Sequence, residues 1–216
     1  MGKTGERRIM TIGPERLEST LRIPEGSRSL VIFAHGADSS RLSPRNNLVA
    51  ERMGKAGIAT LLFDLLTEAE AADRHNVFDI PLLGRRVIGA VNRLSQEPDL
   101  EGLPIGLFGA STGAAAALVA AARLPREVRA VVSRGGRPDL AGPALAEVIA
   151  PTLLLVGGAD PEVLALNEEA ARLLTCHWRL VIVPGATHLF EEPGALDQVV
   201  DLATDWFLEH LERAEP

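Results

Sequence analysis

Short runs of apolar residues alternate along the chain with longer stretches in which apolar residues recur at helical spacing. The run Leu30–Ala34 is apolar throughout, which is typical of a strand buried on both faces of a sheet. In the stretch Leu82–Leu94, apolar side chains recur every three or four residues, which predicts a helix with one buried face. The alternation continues to the stretch Leu196–Leu211, where we expect Trp206 and Phe207 to pack on the sheet.

This pattern predicts a mostly parallel sheet with helices on both faces. The first two strands form an antiparallel pair at one edge, whereas the later strands run parallel, because each crossover helix returns the chain to the same end of the sheet. The fold class is therefore α/β, an open and doubly wound sheet of about eight strands. Residues 64–79 are predicted to be irregular. The predicted strands are Arg8–Ile12, Leu17–Ile23, Leu30–Ala34, Ile58–Phe63, Ile105–Phe108, Val128–Val132, Thr152–Val156 and Arg179–Val183. The predicted helices are Asn46–Ala56, Leu82–Leu94, Gly113–Leu124, Ala144–Ile149, Glu162–Leu174 and Leu196–Leu211.

Composition and charge narrow the class of protein. The 216 residues, 46% of them hydrophobic and 24% charged, fit one globular domain over residues 1–216. Cys176 is the one cysteine, which excludes an internal disulfide and a cysteine zinc site and fits a cytoplasmic protein. The net charge of -7 argues against nucleic-acid and anionic-membrane partners. A homodimer through an edge strand or the last helix is one assembly that the sequence permits.

The segment Gly109-Ala110-Ser111-Thr112-Gly113 matches Gly-x-Ser-x-Gly, with a predicted strand before it and a helix after it. In that setting a serine sits on a sharp, strained turn, and the glycines avoid clashes with the neighbouring strand and helix. The N–H of Thr112 and the amino terminus of the helix would face negative charge that develops on a bound carbonyl oxygen. The segment therefore predicts that Ser111 is a nucleophile.

A serine nucleophile needs a general base and a group that orients the base. His188 lies in the loop after the last predicted strand, and Asp160 ends the strand before that. In a parallel sheet Ser111, Asp160 and His188 emerge at one edge, in the chain order Ser, Asp, His. An alternative is that Asp160 only caps the next helix, because Asp-Pro is also a signature of a helix start. In that case Glu162 or Asp139 would take its place.

Together with the loop His35-Gly36-Ala37-Asp38, these segments resemble an α/β-hydrolase of the dienelactone hydrolase-like group, from about Leu17 to the end. The motifs that carry the resemblance are His35-Gly36, Gly109–Gly113, Gly157–Asp160 and Gly185–His188. The resemblance implies an α/β-hydrolase fold, with the backbone N–H of Ala37 as the second oxyanion donor beside that of Thr112. Dienelactone hydrolases proper use a cysteine nucleophile, so their lactone substrate is not carried over. The short connection between the sixth and seventh strands leaves no room for a separate lid domain.

Three residues at the predicted edge are candidates for substrate contact: Asp38, Arg134 and Phe190. A carboxylate at Asp38 would weaken the oxyanion hole or select cationic substrates. Arg134 would recognise a substrate carboxylate, or else form a salt bridge with Asp139 or another acid. His35 is interpreted as structural, holding its loop by hydrogen bonds.

These residues predict a serine hydrolase that cleaves a small carboxylic ester or thioester through an acyl-enzyme, with no cofactor and no metal. Its partner would be a small-molecule acyl substrate. Two alternatives stay open. One is a hydrolase-fold binding or regulatory protein without turnover, and the other is an acyltransferase or perhydrolase that uses the same three side chains.

Overall fold

An eight-stranded sheet forms the centre of the molecule in the computed structural model, which describes residues 5–37 and 39–211. The strand order is β1-β2-β4-β3-β5-β6-β7-β8. β1 pairs with β2, and β2 with β4, in antiparallel fashion, and the remaining pairs are parallel. The strands are β1 Glu6–Ile12, β2 Leu17–Ile23, β3 Ser29–Ala34, β4 Ile58–Phe63, β5 Ile105–Ala110, β6 Val128–Arg134, β7 Thr152–Gly157 and β8 Trp178–Val183.

Helices cover both faces of the sheet, and the apolar side chains of each strand alternate between them. In β3, Leu30 and Ile32 belong to one apolar cluster, with α4 and α5, whereas Val31 and Phe33 belong to the other, with α1 and α7. The α-helices are α1 Pro44–Lys55, α2 Glu68–Ala71, α3 Arg74–Phe78, α4 Ile80–Leu94, α5 Thr112–Arg123, α6 Pro161–Ala171 and α7 Ala195–His210. Segments Pro98–Leu100 and Pro138–Glu147 are 3₁₀-helical.

The fold class predicted from the pattern is confirmed. The mostly parallel sheet, the antiparallel pair at its edge and the helices on both faces all agree with it. Phe207 packs on the sheet as predicted, because a Cβ at Gly106 in β5 would lie 2.6 Å from its ring. Trp206 is buried in the apolar cluster that also contains Phe207. No helix among the described residues has the length and apolarity that crossing a membrane requires.

Two local predictions are wrong. Residues 64–79 hold the short helices α2 and α3, and α2 begins with a capping box in which Thr67 and Glu70 bond each other's backbone N–H groups. That Thr-x-x-Glu signal was present in the sequence. In place of the predicted helix Ala144–Ile149, the chain forms the 3₁₀-helical segment Pro138–Glu147. A continuous α-helix does not form there, because Gly142 has a non-helical φ of 53° and the next residue, Pro143, has no N–H to donate.

Candidate active site

Ser111 stands between β5 and α5 with a φ of 50° and a ψ of -124°, a backbone conformation that non-glycine residues rarely adopt. The two glycines beside it allow this turn to fit into the protein. A Cβ at Gly109 would lie 2.4 Å from the Cα of Ala114, and one at Gly113 would lie 2.2 Å from the carbonyl oxygen of Ala34. The prediction that side chains here would clash with the neighbouring strand and helix is confirmed. The sharp turn therefore presents the serine at the carboxyl edge of the sheet.

We expect Gly113→Ala to lower the free energy of unfolding by at least about 3 kcal/mol, because backbone on both sides of the contact would have to move. The matched control is Gly89→Ala in α4, where an added Cβ meets nothing within 4 Å. That change should raise the free energy of unfolding by about 0.5–1 kcal/mol, since alanine favours a helix interior. Urea unfolding of both variants measures the difference, and equal effects would contradict the tight packing at Gly113.

The side chain of Asp160 makes two contacts at once. Its Oδ2 accepts a hydrogen bond from Nδ1 of His188 at 2.9 Å, while its Oδ1 accepts one from the backbone N–H of Val163 at 3.4 Å and caps α6. The interpretation of Asp160 as a cap alone is therefore wrong. Asp139 is paired with Arg137 at 2.8 Å, and Glu162 is exposed on the first turn of α6. Because the aspartate holds Nδ1–H, the lone pair of the other ring nitrogen, Nε2, stays available to accept a hydrogen bond or a proton.

The loop after β3 lies directly against the serine. A Cβ at Gly36 would be 2.7 Å from Cβ of Ser111. Only a glycine therefore fits there without displacing the strained turn around Ser111, which we call the elbow. Nδ1–H of His35 donates to the carbonyl oxygen of Gly36 at 2.9 Å, and Nε2 accepts from the N–H of Leu65 at 3.0 Å. Burial lowers the pKa of His35, so the ring stays neutral and keeps both bonds. The structural role predicted for His35 is confirmed.

A cavity of about 880 Å³ opens at this edge of the sheet. Ser111 and His188 both line it, and so do Ala37 and Thr112, the two predicted oxyanion donors. Within the described residues no hydrogen bond joins Ser111 Oγ to the His188 ring, which is common for catalytic pairs before substrate binds. The structure thus brings five of the predicted site residues, these four and Arg134, to one cavity. The predicted contact residue Asp38 lies outside the described residues.

The two remaining predicted contact residues differ in position. Arg134 lines the cavity, whereas the ring of Phe190 is 1% exposed and packs in the apolar cluster with α7. The substrate contact predicted for Phe190 is therefore corrected, since an apolar ring gains more by burial in the core. The neighbouring Leu189 lines the cavity instead. Val77 of α3 also lines it, a residue that sequence reasoning missed along with its helix. Among the described residues no group of three or more His, Cys, Asp or Glu side chains could hold a metal ion.

The mostly parallel eight-stranded sheet, with a serine on a strained turn after β5, is an α/β-hydrolase fold. The crystal structure of a dienelactone hydrolase from Anabaena variabilis is 52% identical to this chain, covers 97% of it and 100% of its own length, and superposes with a TM-score of 0.94. The chain belongs to the dienelactone hydrolase family. A dienelactone hydrolase-like promiscuous phosphotriesterase from metagenomic libraries, 20% identical over 96% of this chain and 99% of its own, shares the fold with a TM-score of 0.79. No family model matches the chain.

Curated relatives occur in two strains of Mycobacterium tuberculosis under the name "Putative phosphoribosyl transferase". Each is 58% identical over 199 residues, which is 92% of this chain and 45% of the relative. The chain therefore spans a little under half the length of the curated relatives that it matches.

Proposed function

We propose that the protein is a serine hydrolase that cleaves a small carboxylic ester or thioester through an acyl-enzyme. The observation that carries the proposal is the hydrogen bond from His188 to Asp160 on the wall of the same cavity that Ser111 lines. A base held in one tautomer, on the wall of the same cavity as a half-buried serine, is the arrangement that acyl transfer to a serine requires. The hydrolase in the name of the Anabaena variabilis relative supports the same reaction class.

In the first half-reaction, Ser111 Oγ attacks the carbonyl carbon and its proton passes to Nε2 of His188. The tetrahedral intermediate collapses as His188 protonates the leaving alcohol or thiol, and the acyl group stays on Oγ. In the second half-reaction, His188 takes a proton from water as the water oxygen attacks the acyl carbon. His188 then returns a proton to Ser111 Oγ as the bond from Oγ to the acyl carbon breaks and the carboxylic acid leaves. Asp160 stabilises the imidazolium that forms in each half without taking up its proton.

The backbone N–H groups of Thr112 and Ala37 would bind the oxyanion in both half-reactions. Thr112 is the first residue of α5, where the N–H groups have no partner within the helix and the helix dipole favours negative charge. Ala37 follows Gly36, which lies against the elbow. This placement supports two donors aimed at one point, an arrangement that stabilises the transition state more than the substrate.

The name of the Mycobacterium tuberculosis relatives is not extended to this chain, because it describes proteins more than twice as long as the matched part. The matched part holds the serine, histidine and aspartate of the proposed site in this chain. Hydrolysis is therefore preferred over glycosyl transfer. Acyl transfer to an acceptor other than water, and perhydrolysis, differ from hydrolysis only in the molecule that meets the acyl-enzyme.

Treatment of the folded protein with a fluorophosphonate probe tests the proposal. We expect one adduct per chain by intact mass, mapped by digestion to the peptide that holds Ser111, and no adduct on urea-denatured protein. A panel of p-nitrophenyl esters and thioesters then defines the acyl group. Folded protein without an adduct would overturn the hydrolase proposal and favour a binding or regulatory role for the cavity.

A further inference from the structure

Arg134 is a buried arginine without a counterion on the wall of the cavity. It ends β6, where its Cα pairs with that of Ala110, the residue before Ser111. The residue is 7% exposed, and its Nε and Nη1 are buried with no hydrogen-bond partner among the described residues. The salt bridge to Asp139 or another acid, an alternative that the sequence left open, is therefore wrong.

Arg45, which lines the cavity with Arg134, is paired with an acid, and so are Arg41 and Arg137, which are close in the sequence to residues of the cavity wall. Arg41 binds Asp64 at 2.7 Å, Arg45 binds Glu191 at 2.8 Å, and Arg137 binds Asp139 at 2.8 Å. The acids of these three pairs are therefore already bound to other arginines and do not pair with Arg134. Glu68 also lines the cavity but lies exposed at the start of α2. Arg134 is thus the buried cation of the described cavity wall whose charge no nearby acid balances.

A guanidinium in this position keeps its charge at a cost. Burial, together with the positive charge of Arg45, lowers the pKa of Arg134 to about 10, so the group is still protonated at neutral pH. Burying a charge without a counterion is unfavourable, and proteins seldom keep such a charge unless a bound molecule supplies the counterion. The adjoining Gly135 lies against the histidine loop, where an added Cβ would be 2.9 Å from the carbonyl oxygen of His188. Arg134 is therefore the residue before Gly135, which packs against the loop that holds His188.

We propose that Arg134 is a specificity-determining residue that binds an oxyanionic group, a carboxylate or a phosphate, on the substrate. The planar guanidinium offers two parallel N–H groups, which match the oxygens of either anion. The cavity of about 880 Å³ has room for an ester together with an anionic arm. That the bound anion belongs to a substrate rests on the proposed hydrolase function, whereas the anion site itself does not.

The kinetic test compares two esters, p-nitrophenyl acetate and the mono-p-nitrophenyl ester of glutaric acid. The ratio of kcat/KM for the acidic ester to that for the neutral ester should fall about 30-fold in Arg134→Met, because only the acidic ester loses a charge-assisted contact. The matched control, Arg45→Met, also removes an arginine from the cavity wall and should keep the ratio within about threefold. An unchanged ratio in Arg134→Met, or an equal fall in Arg45→Met, would overturn the assignment.

A binding test that needs no turnover uses Ser111→Ala protein. Inorganic phosphate or glutarate, at about 10 mM, should raise its Tm by about 2 °C or more, and the double variant Ser111→Ala/Arg134→Met should show no shift. The anion that gives the larger Tm shift shows whether the site prefers a phosphate or a carboxylate. Without anion, Arg134→Met should melt at the same temperature as its parent or above it, because it removes an unpaired buried charge. No Tm shift with either anion would overturn the anion site. If an anion raises the Tm but the parent protein takes up no fluorophosphonate at Ser111, the anion site is supported and only the hydrolase proposal is overturned.

Discussion

Ser111→Ala is expected to lower kcat for ester hydrolysis by about 10⁶-fold and to abolish the fluorophosphonate adduct, because no other group can then form the acyl-enzyme. The fold should be retained. Alanine keeps the Cβ, so the cost of the φ of 50° at this position is the same in both proteins, and the described side chain of Ser111 makes no hydrogen bond that the fold would lose. Steady-state kinetics with p-nitrophenyl acetate measure the loss.

A control serine is available on the same cavity wall. Ser39 lines the cavity and is exposed. Ser39→Ala should keep kcat within about threefold and should take up the probe as the parent protein does. Activity of Ser111→Ala within about tenfold of the parent would show that the nucleophile is another residue.

Local sequence signals predicted the elbow well because its constraints are local. The strand that ends at Ala110, the serine and the helix from Thr112 are contiguous, and the glycines are required by contacts within the same motif and with the neighbouring strand. The chain order and the carboxyl edge of a parallel sheet were enough to bring Asp160 and His188 together. The sequence could not show that one carboxylate both caps a helix and holds the histidine, because that depends on where its two oxygens point.

The surroundings of the site depend on tertiary placement, which no local pattern encodes. The aromatic Phe190 follows the histidine closely, yet its backbone φ of 56° and the apolar cluster beside α7 take its ring into the core. Arg134 and Arg137 are three residues apart, and either could have paired with Asp139 on spacing alone. Arg137 takes the acid, and this leaves Arg134 without a partner.

Asp160→Asn is expected to lower kcat by about 10⁴-fold, the second-largest effect on activity among these variants. Asparagine keeps the shape of the side chain and an oxygen that can accept from the N–H of Val163, so α6 stays capped. Its NH₂ group, in the place of Oδ2, can no longer accept from Nδ1–H of His188. The imidazole then takes the tautomer that carries its proton on Nε2, and this nitrogen cannot accept a second proton from the serine.

Comparison with Asp160→Ala separates the two roles of this carboxylate. Both variants should lose activity to a similar extent, but only the alanine variant should also lose about 1 kcal/mol of unfolding free energy with its helix cap. Glu162→Gln, two residues further on and exposed, should change neither quantity, because its side chain makes no described contact with His188. Measurement of kcat and of the free energy of unfolding in urea for all three proteins separates the role of Asp160 in activity from its role as a helix cap. If Asp160→Asn retained most of its activity while Asp160→Ala lost stability, the contact with His188 would have no part in catalysis and Asp160 would serve only the helix.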